Sequence, residues 1–575
     1  MALLPGAISP QTHMPMMISR TCRRLVSALV ASSLVMMAGC LEVAAPATAP
    51  TPETAARFLN MTTFGGTQTD IDRLVAAGYE GWLVEQFAAQ PPDSHFGYTD
   101  RGGPPDCIDC PADSIGAGIE SFWYQAITGN DQLRQRITLA WLELFVTSAA
   151  TDSSLEQEST AMGAYLDLLS KNAFGNFRTL LEAVTLSPTM GHYLSHMQND
   201  KEDPTTGRLP DENYAREVMQ LFTIGKWQLY SDGTRRKDGN GQDMPTYTQA
   251  DVMGLAKVFT GWSWGGDDTS EARWAGAPVD FLTSHNWALP MQPYEQHHST
   301  SSVTIVGGVS IPANTSTRDS LKIALDTLFN HPNVGPMVAT HLIKRLTTSN
   351  PSPAYVSRVA SVFNSNAQGE RGNLQSVIRA VLFDPEVWDG THLSNPTWGK
   401  PKEPIVKAAS LVRGLSCKSS NGTVRLSTLQ NDDYDLGQPP LMSSSVFNYF
   451  QGDHSPQGAL ADAGLTAPEY QITNNSTMIG YLNFVQMLLD FGLSTNASSL
   501  QCDFTKLTPF AADAGGLVDK LTVYFMGTPL SPGGRQAVID GVNAIAFDNT
   551  TLSKQNRVKA AIMLMAASPE FNVQR

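Results

Sequence analysis

Two acids flank an arginine in the run Pro210-Asp211-Glu212-Asn213-Tyr214-Ala215-Arg216-Glu217. Paired carboxyl groups suit general acid/base work at a glycosidic bond, where one must stay protonated and the other ionised. Glu217 is the first catalytic candidate and Glu212 the second, with Arg216 to set the local charge. A plainer account is also available. Glu212 and Arg216 stand at i,i+4, the spacing of an ordinary helix salt bridge. Asn213 extends the polar stripe. Trp262 and Trp264, close in sequence to Trp274 and Trp287, offer flat faces on which sugar rings stack. Their alternative is simple packing beneath a loop.

Histidines supply a second possible chemistry. His192 and His196 are also at i,i+4, so one helix face can present two imidazoles to a metal. No Glu follows His192, so the zinc-protease motif is absent, and two surface histidines are the plainer reading. His297 and His298 are candidates as base or ligand. A divalent metal held by one of them with Glu217 and the His192/His196 pair is a variant of the catalytic reading. No nucleophile elbow, phosphate loop or dinucleotide fingerprint is present.

These residues need elements to hold them. Asp211 caps a predicted helix that ends at Gly225, a residue suited to the left-handed position after a helix. Tyr214, Val218, Leu221 and Phe222 form its apolar stripe at helical spacing, beside the polar stripe of Asn213, Glu217 and Gln220. Trp227–Tyr230 and Pro245–Tyr247 can pair as a hairpin. Asp238–Asp243 between them lacks the glycine and bidentate Glu of a calcium loop, which favours a plain turn. Thr248 and Asp251 make a capping box for a helix ending at Gly261-Trp262. Elsewhere, helical periodicity recurs from Ala55 to the C-terminus. It is interrupted at Gly78, in the Gly/Pro-rich stretch Pro91–Asp113, and in the loops after Leu436 and Ala467. The predicted fold class is mostly α, a multi-helix globular body with a few short β-hairpins in long loops.

The chain has 575 residues, more than one ordinary core. Residues 1–39 read as a secretory signal: Arg20, Arg23 and Arg24 precede the apolar run Leu25–Met37. The run closes in Ala38-Gly39-Cys40, which resembles a bacterial lipobox and implies lipidation of Cys40. The proline- and alanine-rich residues 40–53 read as a tether. Residues 54–390 then form a helical core containing the Glu212–Trp262 segment, and residues 391–575 a C-terminal helical region packed on it. Removing residues 1–39 takes three arginines and no acid, leaving 36 basic and 54 acidic side chains, net −18. Such a field argues against nucleic acid. Cys107, Cys110, Cys417 and Cys502 allow three disulfide pairings in an oxidising compartment, of which Cys107–Cys110 with Cys417–Cys502 is the simplest.

Several landmarks together resemble one bacterial family, the domain-of-unknown-function 1800 proteins. They are Ala56-Arg57-Phe58-Leu59 with Thr63-Phe64-Gly65, then Asp131-Gln132-Leu133-Arg134, then Glu212 to Glu217 with Leu221 and Gly225. Tyr247-Thr248, Asp251-Val252 and Thr260-Gly261-Trp262 follow, and later Gly437-Gln438-Pro439-Pro440, Pro468-Glu469 and Ser568-Pro569-Glu570-Phe571. The likeness runs in order from about residue 54 to the end. One departure is Phe222, where the family commonly has His; a His near positions 297 and 298 is frequent in it. The resemblance implies an exported protein, often encoded beside an exported sulfatase-like protein, and implies no particular activity.

Two expectations follow. One is an envelope enzyme, a hydrolase or lyase acting on a polysaccharide or similar polymer through Glu217 and Glu212. The other is a non-catalytic lipoprotein of the envelope, anchored by Cys40 in the outer membrane, that binds glycan or holds a partner enzyme.

Overall fold

The computed structural model describes residues 43–105, 114–276, 284–426, 436–493 and 499–575. The signal segment with Cys40, and the pair Cys107 and Cys110, lie outside them. Helices dominate, and the named strands form three antiparallel two-stranded sheets. The fold is mostly α with small β-hairpins.

Local chemistry accounts for many helix boundaries. Thr51 and Thr54 form a capping box at the start of Pro52–Thr62, and Thr67 and Asp70 do the same for Gln68–Ala88. The second helix breaks at Gly78, whose φ of 73° and ψ of 166° suit a residue without a Cβ. The stretch read as a loop from Pro91 contains a helix, His95–Arg101. Its periodicity is too short to announce itself, and it is held from outside. Asp167 accepts the His95 and Phe96 N–H groups at 2.7 and 2.9 Å.

The expected helix from Asp211 to Gly225 changes type midway. Asn213–Glu217 is α, and Val218–Thr223 is a π-helix. The wider turn brings Met219 into the core and leaves Leu221 half-buried, a correction to the stripe drawn at helical spacing. Asp211 accepts from the Asn213 N–H at 2.7 Å, and Gly225 closes the element at φ 68°, as its composition suggests. Asn333 fastens this end, donating to the carbonyls of Ile224 and Trp227 and accepting from the Leu229 N–H.

One apolar cluster runs from Ala55 to Phe571 and joins the two ends of the chain. Helix Ala514–Phe525 packs on Pro52–Thr62, and Pro404–Gly414 packs on Ser114–Thr128. The last strand, Val573–Gln574, pairs with Lys400–Pro401. Cys417 and Cys502 are bonded beside the bridge between Lys418 and Gln501. The segment read as a free tether is, from Val43 onward, laid against the body. Val43 and Ala45 pack on the core and Pro50 is buried. No helix among the described residues is long and apolar enough to cross a membrane.

Within this core lies an ionic network. The side chains of Arg136, Glu143, Lys400, Glu403 and Glu469 are at most 2% exposed, and that of Arg345 is 8% exposed. Lys400 Nζ reaches Glu403 Oε1 at 3.1 Å and Glu469 Oε1 at 3.0 Å, while Arg345 Nε faces Glu143 Oε2 at 3.2 Å. Gln438 Nε2 donates to both Glu143 Oε1 and Glu403 Oε2 at 3.1 Å. Burial pushes both of these carboxyls up. At Glu143 it wins, whereas Lys400 and Arg136 hold Glu403 well below the usual carboxylate range. Lys400→Met should therefore leave Glu469 without its cation and Glu403 with Arg136 alone, and lower unfolding stability by about 3–5 kcal/mol, read from the midpoint of a denaturant titration.

Candidate functional site

The two candidate acids do not share a site. Glu212 lies on the surface, where Arg216 Nη2 donates to it at 2.9 Å and Gln249 Nε2 at 2.8 Å. Arg216 also reaches Gln249 Oε1 at 3.1 Å, so the three form an exposed polar knot. Asn213 is exposed and belongs to the helix start. Glu217 turns inward and is 7% exposed. Its Oε2 is buried without a hydrogen-bond partner. Burial raises its carboxyl above the ordinary range, opposed by the charges of Arg216 and Lys226. The arrangement in which both acids open onto one recess is corrected: one is solvated and paired, the other enclosed at the edge of the π-helix.

The histidines are likewise kept apart by their own partners. His196 is buried, stacked on Tyr214 at 3.8 Å, with Nε2 against the Thr185 carbonyl at 2.8 Å. Burial lowers it to about 4, so it is a neutral core residue. His298 is also buried, between the Thr260 carbonyl and the Ser320 hydroxyl, and burial lowers it too. His297 sits between Asp200 and Glu271, 3.2 and 3.0 Å away, and lies flat on Trp274 at 3.8 Å. His192 Nδ1 meets Asp152 Oδ2 at 2.9 Å, and the other oxygen of Asp152 caps the helix Ser153–Gln157. Among the described residues no three His, Cys, Asp or Glu side chains converge on a metal position. The proposed metal set of His192, His196, His297, His298 and Glu217 is therefore not assembled.

The tryptophans divide similarly. Trp262 is 1% exposed and belongs to the core, which corrects its reading as a stacking face. Trp264 is also buried, but its ring backs Trp287 edge-on at 4.8 Å. Trp287 does reach open space. It lines a cleft of about 860 Å³ with Phe96, Leu186, Pro188 and Leu289 as apolar surface. Polar groups around them include Asp167, Lys171, Asn172, Arg178 and Glu182. Helices Ser159–Asn172 and Phe177–Thr185 supply most of these side chains.

Asp167 fixes Phe96 by holding its N–H, and its own carboxyl is raised to about 6 by burial, against those backbone hydrogen bonds. Arg178 is clamped between Asp326, 2.8 Å from Nε, and Glu182, 2.7 Å from Nη1. Asp326 also borders a second recess of about 460 Å³ near Val306 and His331, so the two recesses share this residue. A concave site with apolar walls, one indole and a few fixed polar groups can bind a ligand and orient it.

The residues that make this cleft were only partly visible in the sequence. Trp287 stood in the tryptophan-rich stretch, and Arg178 with Glu182 has helix-pair spacing. Phe96 was hidden in a segment read as loop, and Asp326 comes from a helix far along the chain.

A family described as "Protein of unknown function (DUF1800)" matches residues 57–573. The chain belongs to the DUF1800 family. No curated protein and no solved structure matches it. The residues that first suggested DUF1800 are divided between the core, the buried ionic network and the surface around Glu212. Gln438 and Glu469 belong to the buried ionic network and Trp262 to the core, where Phe222 also packs, edge-on against Phe145 at 5.2 Å. None of them lines the cleft.

Glu217 gives a pH test within this DUF1800 scaffold. A carboxyl raised by folding binds its proton more tightly in the native state, so its burial costs nothing below the unfolded value near 4.5. The cost grows as pH rises above it. Glu217→Gln should raise Tm at pH 7–8 and lose that advantage as pH falls through about 4.5. An advantage that grows on acidification would contradict the assignment.

Proposed function

We propose that this protein is an exported lipoprotein of the bacterial envelope, anchored through Cys40 in the outer membrane, that binds a glycan or similar polymer without turning it over. One observation carries the reading: the cleft walled by Phe96 and Trp287, with Trp264 behind the indole. An edge-supported indole is a rigid face for a sugar ring, and the surrounding amide, hydroxyl and charged groups suit ring hydroxyls. The second recess beyond Arg178 and Asp326 favours a chain of linked units over a single small molecule. The net charge of −18 after removal of residues 1–39 disfavours nucleic acid as that polymer. A co-encoded exported sulfatase-like protein is the partner for which a glycan holder would serve.

A hydrolase or lyase is the second reading, favoured by the enclosed Glu217 carboxyl with its unpartnered Oε2. A carboxyl raised by burial is what a general acid needs. Against it stands Glu212, held by Arg216 and Gln249 at the surface.

The two readings separate on a glycan panel screened with the chain lacking residues 1–40. Trp287→Ala should weaken binding about three- to tenfold, the loss of one aromatic contact, at unchanged Tm. Glu217→Gln should leave affinity as it is. Turnover that disappears in Glu217→Gln while the fold persists would replace the binding reading with the catalytic one.

A further inference from the structure

We infer that the body sits directly on the lipid surface, with the face bearing the Arg379–Glu80 pair turned toward the bilayer. This rests on the anchoring of Cys40 proposed above. A free proline- and alanine-rich stalk of residues 40–53 would hold the body about 40 Å away. The chain does not leave room for one. Arg379 Nε donates to the Val43 carbonyl at 2.6 Å, and Glu80 grips the same guanidinium through both oxygens at 2.7 and 2.6 Å. Val43 and Ala45 pack against the core, and Pro50 is buried.

Only Leu41 and Glu42 separate Cys40 from this clasp. Three residue steps span at most about 10 Å, even fully extended. Acyl chains on Cys40 enter the membrane, so their attachment point stays near the headgroups. The clasp, and the surface around it, is thereby kept at headgroup level. Val84 lies one turn beyond Glu80 on the same helix and is 58% exposed, an apolar side chain placed where it meets that layer.

The experiment uses the full lipidated chain in vesicles of phosphatidylethanolamine and phosphatidylglycerol. In a Cys107→Ser/Cys110→Ser background, Val84→Cys carries an environment-sensitive fluorophore, and the vesicles contain nitroxide-labelled headgroups. The label should lose emission to the nitroxide. A flexible Gly-Ser insert of about ten residues after Glu42, with a mean reach of about 18 Å, should restore it. Hydrogen exchange at residues 43–50 gives a readout independent of the label. It should be slower on vesicles than in detergent for the natural chain, and equal in both for the insert variant. Mass spectrometry of the membrane fraction separates the two ways to fail. Absence of lipid on Cys40 overturns anchoring and orientation together. Lipid on Cys40 with an unquenched label and unchanged exchange overturns the orientation alone.

Discussion

Six ionisable side chains withdrawn from water must find one another at the same moment, and the chain is arranged so that they do. Arg136 and Glu143 come from one helical region, Arg345 from the end of another, Lys400 and Glu403 from the residues around a strand, and Glu469 from a later turn. Moving such groups out of water costs several kcal/mol each, and their attraction offsets this only when the geometry is complete. The network therefore contributes less to net stability than to register. A displaced Lys400 would leave Glu469 without its ion-pair partner and Glu403 with Arg136 alone. The strand pairing of Lys400–Pro401 with Val573–Gln574 draws the C-terminus into the same requirement, as does the Gln574 side chain donating to the Leu346 carbonyl. The early and late parts of the chain are coupled by charge as well as by apolar contact.

A frame locked in this way permits a binding surface made from ordinary helix faces. Asp167, Lys171 and Asn172 belong to one helix, Arg178 and Glu182 to the next, and Phe96 is held by the backbone contacts of Asp167. Sites built on rigid elements hold their polar groups more closely than sites on loops. Only the Trp287 side of the cleft comes from an irregular segment, and there Trp264 restrains the ring. Some family landmarks lie in the network and core and others, such as Glu212 and Asn213, at the surface, while none lines the cleft.

That division explains what the sequence could reveal. The capping box at Thr248–Asp251, the break at Gly78 and the stop at Gly225 are local, and each was legible from a few neighbouring residues. Gln438-Pro439-Pro440 and Pro468-Glu469 were legible as landmarks, but their meeting around Lys400 was not, since nothing local encodes contacts between distant segments. The histidines misled for a related reason. Spacing at i,i+4 describes a shared helix face, yet the helix Pro188–Tyr193 ends before His196, which turns inward onto Tyr214. Template periodicity also failed at Val218–Thr223, because a 3.6-residue repeat cannot anticipate the extra residue of a π-turn.

The stretch from Glu217 to Gly225 combines two local costs that a stable scaffold would avoid. An interrupted α-helix has poorer hydrogen bonding, and a buried carboxyl oxygen without a donor is penalised by desolvation. Neither is relieved nearby, and the surroundings over-determine both. Thr223 returns its hydroxyl to the Val218 carbonyl, Asn333 ties down the far end with three hydrogen bonds, and Phe222 is wedged against Phe145. A π-turn held by that many independent contacts is a property of the fold, not an accident of one side chain. It places an enclosed acid where the α-helix gives way to the π-turn. The cleft lined by Trp287 does not include Glu217, so the two are separate features of one frame.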